Sequence, residues 1–128
     1  MKEPYVAELK HSAKHNAFFR QVLFTGEHSQ LVVMSLNPGE EIGTEVHDVD
    51  QVLYAVEGDG EAILGGVAHP FEEGDVVCVP AGIEHNIVNT DDEPFKLFTV
   101  YAPAQHPAGT VHRTKADAMA DERVTATV

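Results

Sequence analysis

Residues Gly74 to Asn89 read GDVVCVPAGIEHNIVN. The run VVCV is rich in β-branched side chains that are stiff about χ1 and pack well on a pleated surface, so it reads as a strand. Pro80-Ala81-Gly82 then stops the ladder and bends the chain, and a second extended run begins near His85. The same grammar extends in both directions: short Val/Leu/Ile/Phe runs at Phe18 to Phe24, Leu31 to Leu36, Thr44 to His47, Val52 to Glu57, Glu61 to Leu64, Val76 to Val79, Glu84 to Asn89 and Lys96 to Tyr101. Gly58-Asp59-Gly60 and Gly65-Gly66 supply the positive-φ positions of tight hairpins. Many short strands between such turns predict a small all-β sandwich or barrel with antiparallel pairing. Beyond Pro103 the pattern changes to a loop over residues 106–114 and a short helix over Lys115 to Arg123, capped by Thr114 with Asp117 three residues on. The end, VTATV, is expected to fray.

With 128 residues and 43% hydrophobic content, the chain is one domain that can bury a single core without metal or disulfide staples. There are 21 Asp and Glu against 8 Lys and Arg, for a formal charge of −13. No cation stands between Arg20 and Lys96. That excess repels phosphate backbones and anionic lipid, so nucleic acid and membrane are poor partners and a small molecule is the expected ligand. The start, MKEPYVAELK, has no apolar run of the secretory kind, and a cytoplasmic location is expected. Cys78 is the single cysteine, so no disulfide forms within the chain, and its place in VVCV predicts a buried, inert thiol.

Eight histidines invite a metal hypothesis, which most of them fail. His11, His15 and His28 lie in polar or turn segments, and His69 precedes Pro70 at the end of a hairpin arm. His47 and His85 remain. On an extended Thr44-Glu45-Val46-His47 segment, Glu45 and His47 are two apart and share a face. A turn at Asp48-Val49-Asp50 returns Gln51 toward them, and His85 arrives from a segment that must pair across the barrel. One carboxylate, two imidazoles and an amide make the mixed nitrogen and oxygen set that a first-row divalent metal accepts. On spacing alone, a solvated Glu45 and a turn-bonded His47 explain the same residues.

Pro38 to Gly60, PGEEIGTEVHDVDQVLYAVEGDG, and Gly74 to Asn89 together resemble the two motifs of the cupin superfamily. The first has the form G-x5-H-x-H-x3-E-x6-G and the second G-x5-P-x-G-x2-H-x3-N. Gly39, His47, Gly58, Gly74, Pro80, Gly82, His85 and Asn89 fall in place, and the second motif matches throughout. The first departs twice. Glu45 stands where the family has a histidine and Gln51 where it has a glutamate, so the ligand set keeps one carboxylate in a different slot.

The resemblance implies a double-stranded β-helix, the cupin jelly-roll barrel, with a short C-terminal helix and a site inside the barrel mouth. It implies residues 1–30 as an N-terminal strand or arm, 31–103 as the barrel, and 104–128 as a C-terminal loop and helix. It also implies one divalent transition metal, Fe, Mn, Ni, Co or Zn, held by Glu45, His47 and His85, with Gln51 a weak fourth donor or a hydrogen bond to substrate. Lewis-acid isomerase or lyase chemistry and dioxygenation both fit such a centre. So does a non-enzymatic binding or sensory module. A homodimer is expected by the same resemblance, and from Phe18 and Phe19, which a lone barrel would leave uncovered.

Overall fold

The computed structural model describes residues 3–127. In chain order the elements are α1 (Leu9–His15), β1 (Arg20–Thr25), β2 (Gln30–Leu36), β3 (Asp50–Glu57), β4 (Asp59–Leu64), β5 (Val67–Glu72), β6 (Val76–Val79), β7 (His85–Asn89), β8 (Phe95–Ala102), β9 (Val111–His112) and α2 (Lys115–Thr127). One sheet has the order β6-β3-β8-β2-β1-β9 and the other β5-β4-β7, with every pairing antiparallel. This is the expected jelly-roll architecture.

Alternation decides what the large sheet turns inward. Along β8, Phe95, Leu97, Thr99 and Tyr101 are buried while Lys96, Phe98 and Val100 are half-buried on the other face. Opposite them stand Leu36, Met34, Val32 and Gln30 of β2. Ala62, Phe71 and Ile87 of the small sheet join Val32, Met34, Leu53 and Leu97 of the large one in a single core cluster. Gly60 lets the Phe95 ring of the large sheet pack against β4, since a Cβ there would run into that ring and into the Val88 carbonyl oxygen of neighbouring β7. Toward β1, β9 and the residues around β7, the interior changes from apolar to polar.

Five features differ from the sequence expectation, the first being β9, which pairs with β1 inside the expected loop over residues 106–114. Thr44 to His47 is no regular strand, because only Glu45 pairs, as an isolated bridge to His85. β5 is an additional strand. Pro70 and an exposed VAH stretch hide it, and both are tolerated because β5 is a sheet edge with only Phe71 pointing inward. α1 is also additional, and its LKHSAKH sequence carries one fully buried residue, Ala13, too little for a periodic signal. The helix seats Ala13 among Val33, Val56, Leu23, Tyr54 and Phe98, and Lys96 Nζ donates to Asn16 O at its end over 2.6 Å. Finally, α2 continues to Thr127 instead of fraying after Arg123. Its start is as expected, with Asp117 N donating to Thr114 Oγ1 over 3.1 Å.

Two expectations about packing are corrected. Cys78 is exposed, not buried. The register sets it opposite Val52 on the outer face of edge strand β6, while Val79 takes the inward position. The apolar character of VVCV therefore reported a strand, not the face its thiol occupies. Phe19 is 3% exposed within the core and Phe18 is half-buried, with the Arg113 guanidinium 5.8 Å from its ring. Neither is left uncovered.

Candidate metal centre

The segment between β2 and β3 runs alongside β7. Gly39 N donates to Asn89 O, Asn89 N to Glu40 O, and Ile42 N to Ile87 O, before Glu45 and His85 exchange both backbone bonds at 2.8 and 2.9 Å. Asn89 is locked by its side chain, whose Nδ2 donates to Leu36 O and Glu93 O. The motif residues thus form a backbone clamp that brings Glu45 beside His85. The bend before β7 supplies the third member. Gly82, at φ +87°, donates its N–H to His47 O over 2.8 Å, which fixes the His47 backbone against the Pro80-Ala81-Gly82 turn.

Glu45, His47 and His85 each present one ligand atom, and these lie within 4.8 Å of one another. His47 Nε2 is 3.6 Å from Glu45 Oε1, and the two imidazole centroids are 5.1 Å apart. His85 Nδ1 lies 2.9 Å from Ile83 O, a contact that makes Nδ1 the protonated nitrogen and leaves the lone pair on Nε2. His47 Nε2 and His85 Nε2 are both buried without a hydrogen-bond partner. A buried polar atom left unmatched costs roughly 1–3 kcal/mol, so convergent unmatched nitrogens beside a carboxylate form a donor set that a divalent ion would satisfy. The residues fit a divalent ion.

Gln51 is 3% exposed and donates from Nε2 to Thr99 Oγ1 over 3.0 Å, leaving Oε1 buried and unmatched. In the strand register it stands opposite Tyr101, whose ring meets His47 edge-on at 5.8 Å. The amide therefore sits at the same end of the barrel with its acceptor available. Burial raises the Glu45 carboxyl pKa, but the neighbouring His47, Arg20 and His85 side chains outweigh it, so the group lies below the usual carboxylate range and is ionised.

A second group faces this one, and the sequence pattern did not single it out. Arg20 of β1 is 1% exposed. Its Nη1 donates to His112 Nδ1 over 3.0 Å, His112 Nε2 meets Asp121 Oδ2 at 2.8 Å, and Arg20 Nε has no partner. His106 hangs from a loop pinned by Gln30, whose Oε1 accepts from the Gln105 and His106 N–H groups while its Nε2 donates to His106 O over 2.7 Å. The His106 ring lies edge-on to Tyr101 at 5.2 Å, and its Nε2 is buried and unmatched. Burial, reinforced by the Arg20 charge, lowers its pKa to about 3, so the imidazole is neutral at ordinary pH. The one sequence cue was Arg20 itself, a cation inside an apolar run and the last before Lys96. The mouth beside His47 is a depression of about 530 Å³ lined by Val46, His47, Asp48, Ala81, Gly82 and Gln105.

Of the histidines set aside from sequence, His11, His15, His28 and His69 are exposed and away from this interior.

Comparison with known proteins agrees with the geometry. The family model described as a cupin domain matches residues 32–101. The uncharacterized protein YrkC of Bacillus subtilis (strain 168) is 42% identical over 127 residues, covering 94% of this chain and 68% of that protein. The crystal structure of BH2720 from Bacillus halodurans superposes with a TM-score of 0.90 at 42% identity, covering 92% of this chain and 95% of that one. A glucose-6-phosphate isomerase of Thermococcus onnurineus (strain NA1) is 40% identical over 70 residues, 50% of this chain and 37% of that enzyme.

Proposed function

This chain is a member of the cupin-domain family, and on that premise we propose that it is a metal-dependent cupin acting on a small polar organic molecule, with Glu45, His47 and His85 holding one divalent transition ion. The observation that carries the reading is the pair of buried, unmatched Nε2 atoms converging on an ionised carboxylate. Fe, Mn, Ni, Co and Zn all suit oxygen and nitrogen donors without thiolate. When bound, such an ion supplies Lewis acidity for isomerase or lyase chemistry or, if redox-active, dioxygenation. The isomerase among the relatives lends support to the former.

The protein's own residues do the rest. The Ile83 carbonyl orients His85, and the Gly82 bond orients the His47 backbone. Gln51 Oε1 adds a neutral fourth donor or receives a ligand hydroxyl. His106, uncharged, offers Nε2 as a hydrogen-bonding position opposite. The second reading, a non-enzymatic binding or sensory module with a structural ion, is favoured by Glu45 being itself a donor and therefore no spare base. Plasma mass spectrometry of protein purified without chelator tests the centre: about one ion per chain is expected. Wild-type metal content in both His47→Ala and His85→Ala would refute the assignment. Water exchange at the bound ion would favour the enzyme over the module.

The reading includes a cytoplasmic homodimer. Support for the dimer rests on the outer face of the large sheet, where Leu31, Val52, Val76 and Val100 continue past the area that α1 covers. A monomer mass by light scattering at micromolar concentration would count against it.

A further inference from the structure

We propose that Arg20 and His106 form an oxyanion subsite, so that the ligand of this barrel carries a carboxylate or phosphate group seated on the Arg20 guanidinium while its other end faces Glu45, His47 and His85. The inference deepens the metal-dependent reading and rests on it.

Arg20 is 1% exposed and, among the described residues, forms no ion pair with a carboxylate. A buried guanidinium is costly unless its charge and its N–H groups are matched. Arg20 spends Nη1 on a neutral acceptor, His112 Nδ1, and keeps Nε unmatched. Among carboxylates of the described residues, Glu45 is near enough to feel the Arg20 charge, and Asp121 meets the His112 ring to which Arg20 donates, with its side chain 57% exposed and screened by water. Glu45 can offset one positive charge. A divalent ion on the same carboxylate leaves the interior with excess positive charge, which an anionic ligand offsets.

His106 completes the subsite. Its Nε2 is buried and unmatched, and burial together with the Arg20 charge keeps the ring neutral. It can hydrogen-bond an anion without requiring a further counter-charge. Arg20 is meanwhile held from behind: His112 of β9 and Asp121 of α2 fix the guanidinium through two successive bonds of 3.0 and 2.8 Å. That arrangement makes His112 and Asp121 positioning residues and gives the C-terminal segment a task at the barrel interior. A planar guanidinium held this way suits carboxylate or phosphate oxygens better than a flexible ammonium would.

Isothermal titration calorimetry on the full-length, metal-loaded protein tests this with malonate, inorganic phosphate and the uncharged isostere malonamide. Malonate or phosphate should bind and malonamide should not. Arg20→Gln should weaken the anion roughly 10–100-fold, the loss expected for a charge-assisted hydrogen bond, with metal content unchanged. Asp121→Asn, on the exposed side of α2, should weaken it less, and Asp121→Glu should restore it. Equal binding of malonamide and malonate overturns the subsite, as does failure of both anions to bind or undiminished binding by Arg20→Gln. Because malonate and phosphate can also ligate the ion, the comparison of malonate with malonamide is repeated on full-length wild-type protein stripped of metal, where preference for malonate must persist; this decides even if Arg20→Gln does not fold. Wild-type protein that carries its metal but binds neither anion overturns the subsite alone. Metal retained in His47→Ala and His85→Ala overturns the metal centre, while Arg20-dependent binding would still support the subsite.

Discussion

The barrel interior has two polar walls of opposite character. One, built from the β2–β3 segment and β7, presents lone pairs: Glu45 Oε1, His47 Nε2, His85 Nε2 and the Gln51 amide oxygen of neighbouring β3. The other, built from β1, β9 and the loop after β8, presents a fixed cation and a neutral imidazole. The first is tied down by backbone bonds within a few residues of each donor; the second is held by side chains from distant parts of the chain, Gln30, His112 and Asp121. A donor set needs convergence at one point and takes it from local backbone. An anchoring cation needs only to be kept from collapsing onto that carboxylate, and long-range side-chain bonds achieve this.

The contrast is broken most severely at the donor wall. His47→Ala or His85→Ala removes one of two nitrogen donors and should abolish stoichiometric metal, an effect beyond the roughly 10–100-fold cost of losing a supporting hydrogen bond. Occupancy in the wild type should also fall on acidification, because protonated nitrogens do not coordinate.

Acid should act on the opposite wall through His106. Its folded pKa is lowered to about 3, whereas the unfolded chain takes up that proton near roughly 6.5. Between those values the unfolded state binds more protons, so the contribution to stability is complete above the unfolded pKa and is lost as pH falls toward the folded one. The slope reaches at most about 1.4 kcal/mol per pH unit. Denaturant melts of wild type and His106→Gln from pH 7 to 4 should diverge in that direction; parallel curves would show that His106 is not buried neutral.

Gln51→Glu sharpens the comparison by placing a second anion on the donor wall. Thr99 Oγ1, now an acceptor, can turn to donate to the new carboxylate, so the fold should tolerate the change. Divalent-ion affinity should rise by about tenfold, equivalent to about 1.4 kcal/mol. Unchanged affinity in a competition titration would place Gln51 outside the centre. The smallest effect concerns the outside of the barrel. Cys78 is exposed on β6 beside Val52 and Val76 of the proposed dimer face, so it should react promptly with thiol reagents at concentrations where the dimer dissociates and more slowly where it forms, without loss of bound metal. Slow labelling at low concentration would mean that its face of the sheet is covered.

The barrel class, most of the strands and the residues that meet at the donor wall could be read directly from the sequence. Gly, Pro and β-branched residues act through local backbone preference, and Glu45, His47 and His85 sit at short, fixed offsets from the turns that present them. Tertiary structure alone decided which face each apolar strand buries, as Cys78 and Phe19 show: a strand's alternation defines two sides without saying which sheet or helix covers either. It also decided the cation wall. Arg20, His106, His112 and Asp121 come from both ends of the chain, and no local rule relates residues that meet only when β1, β9 and α2 pack together.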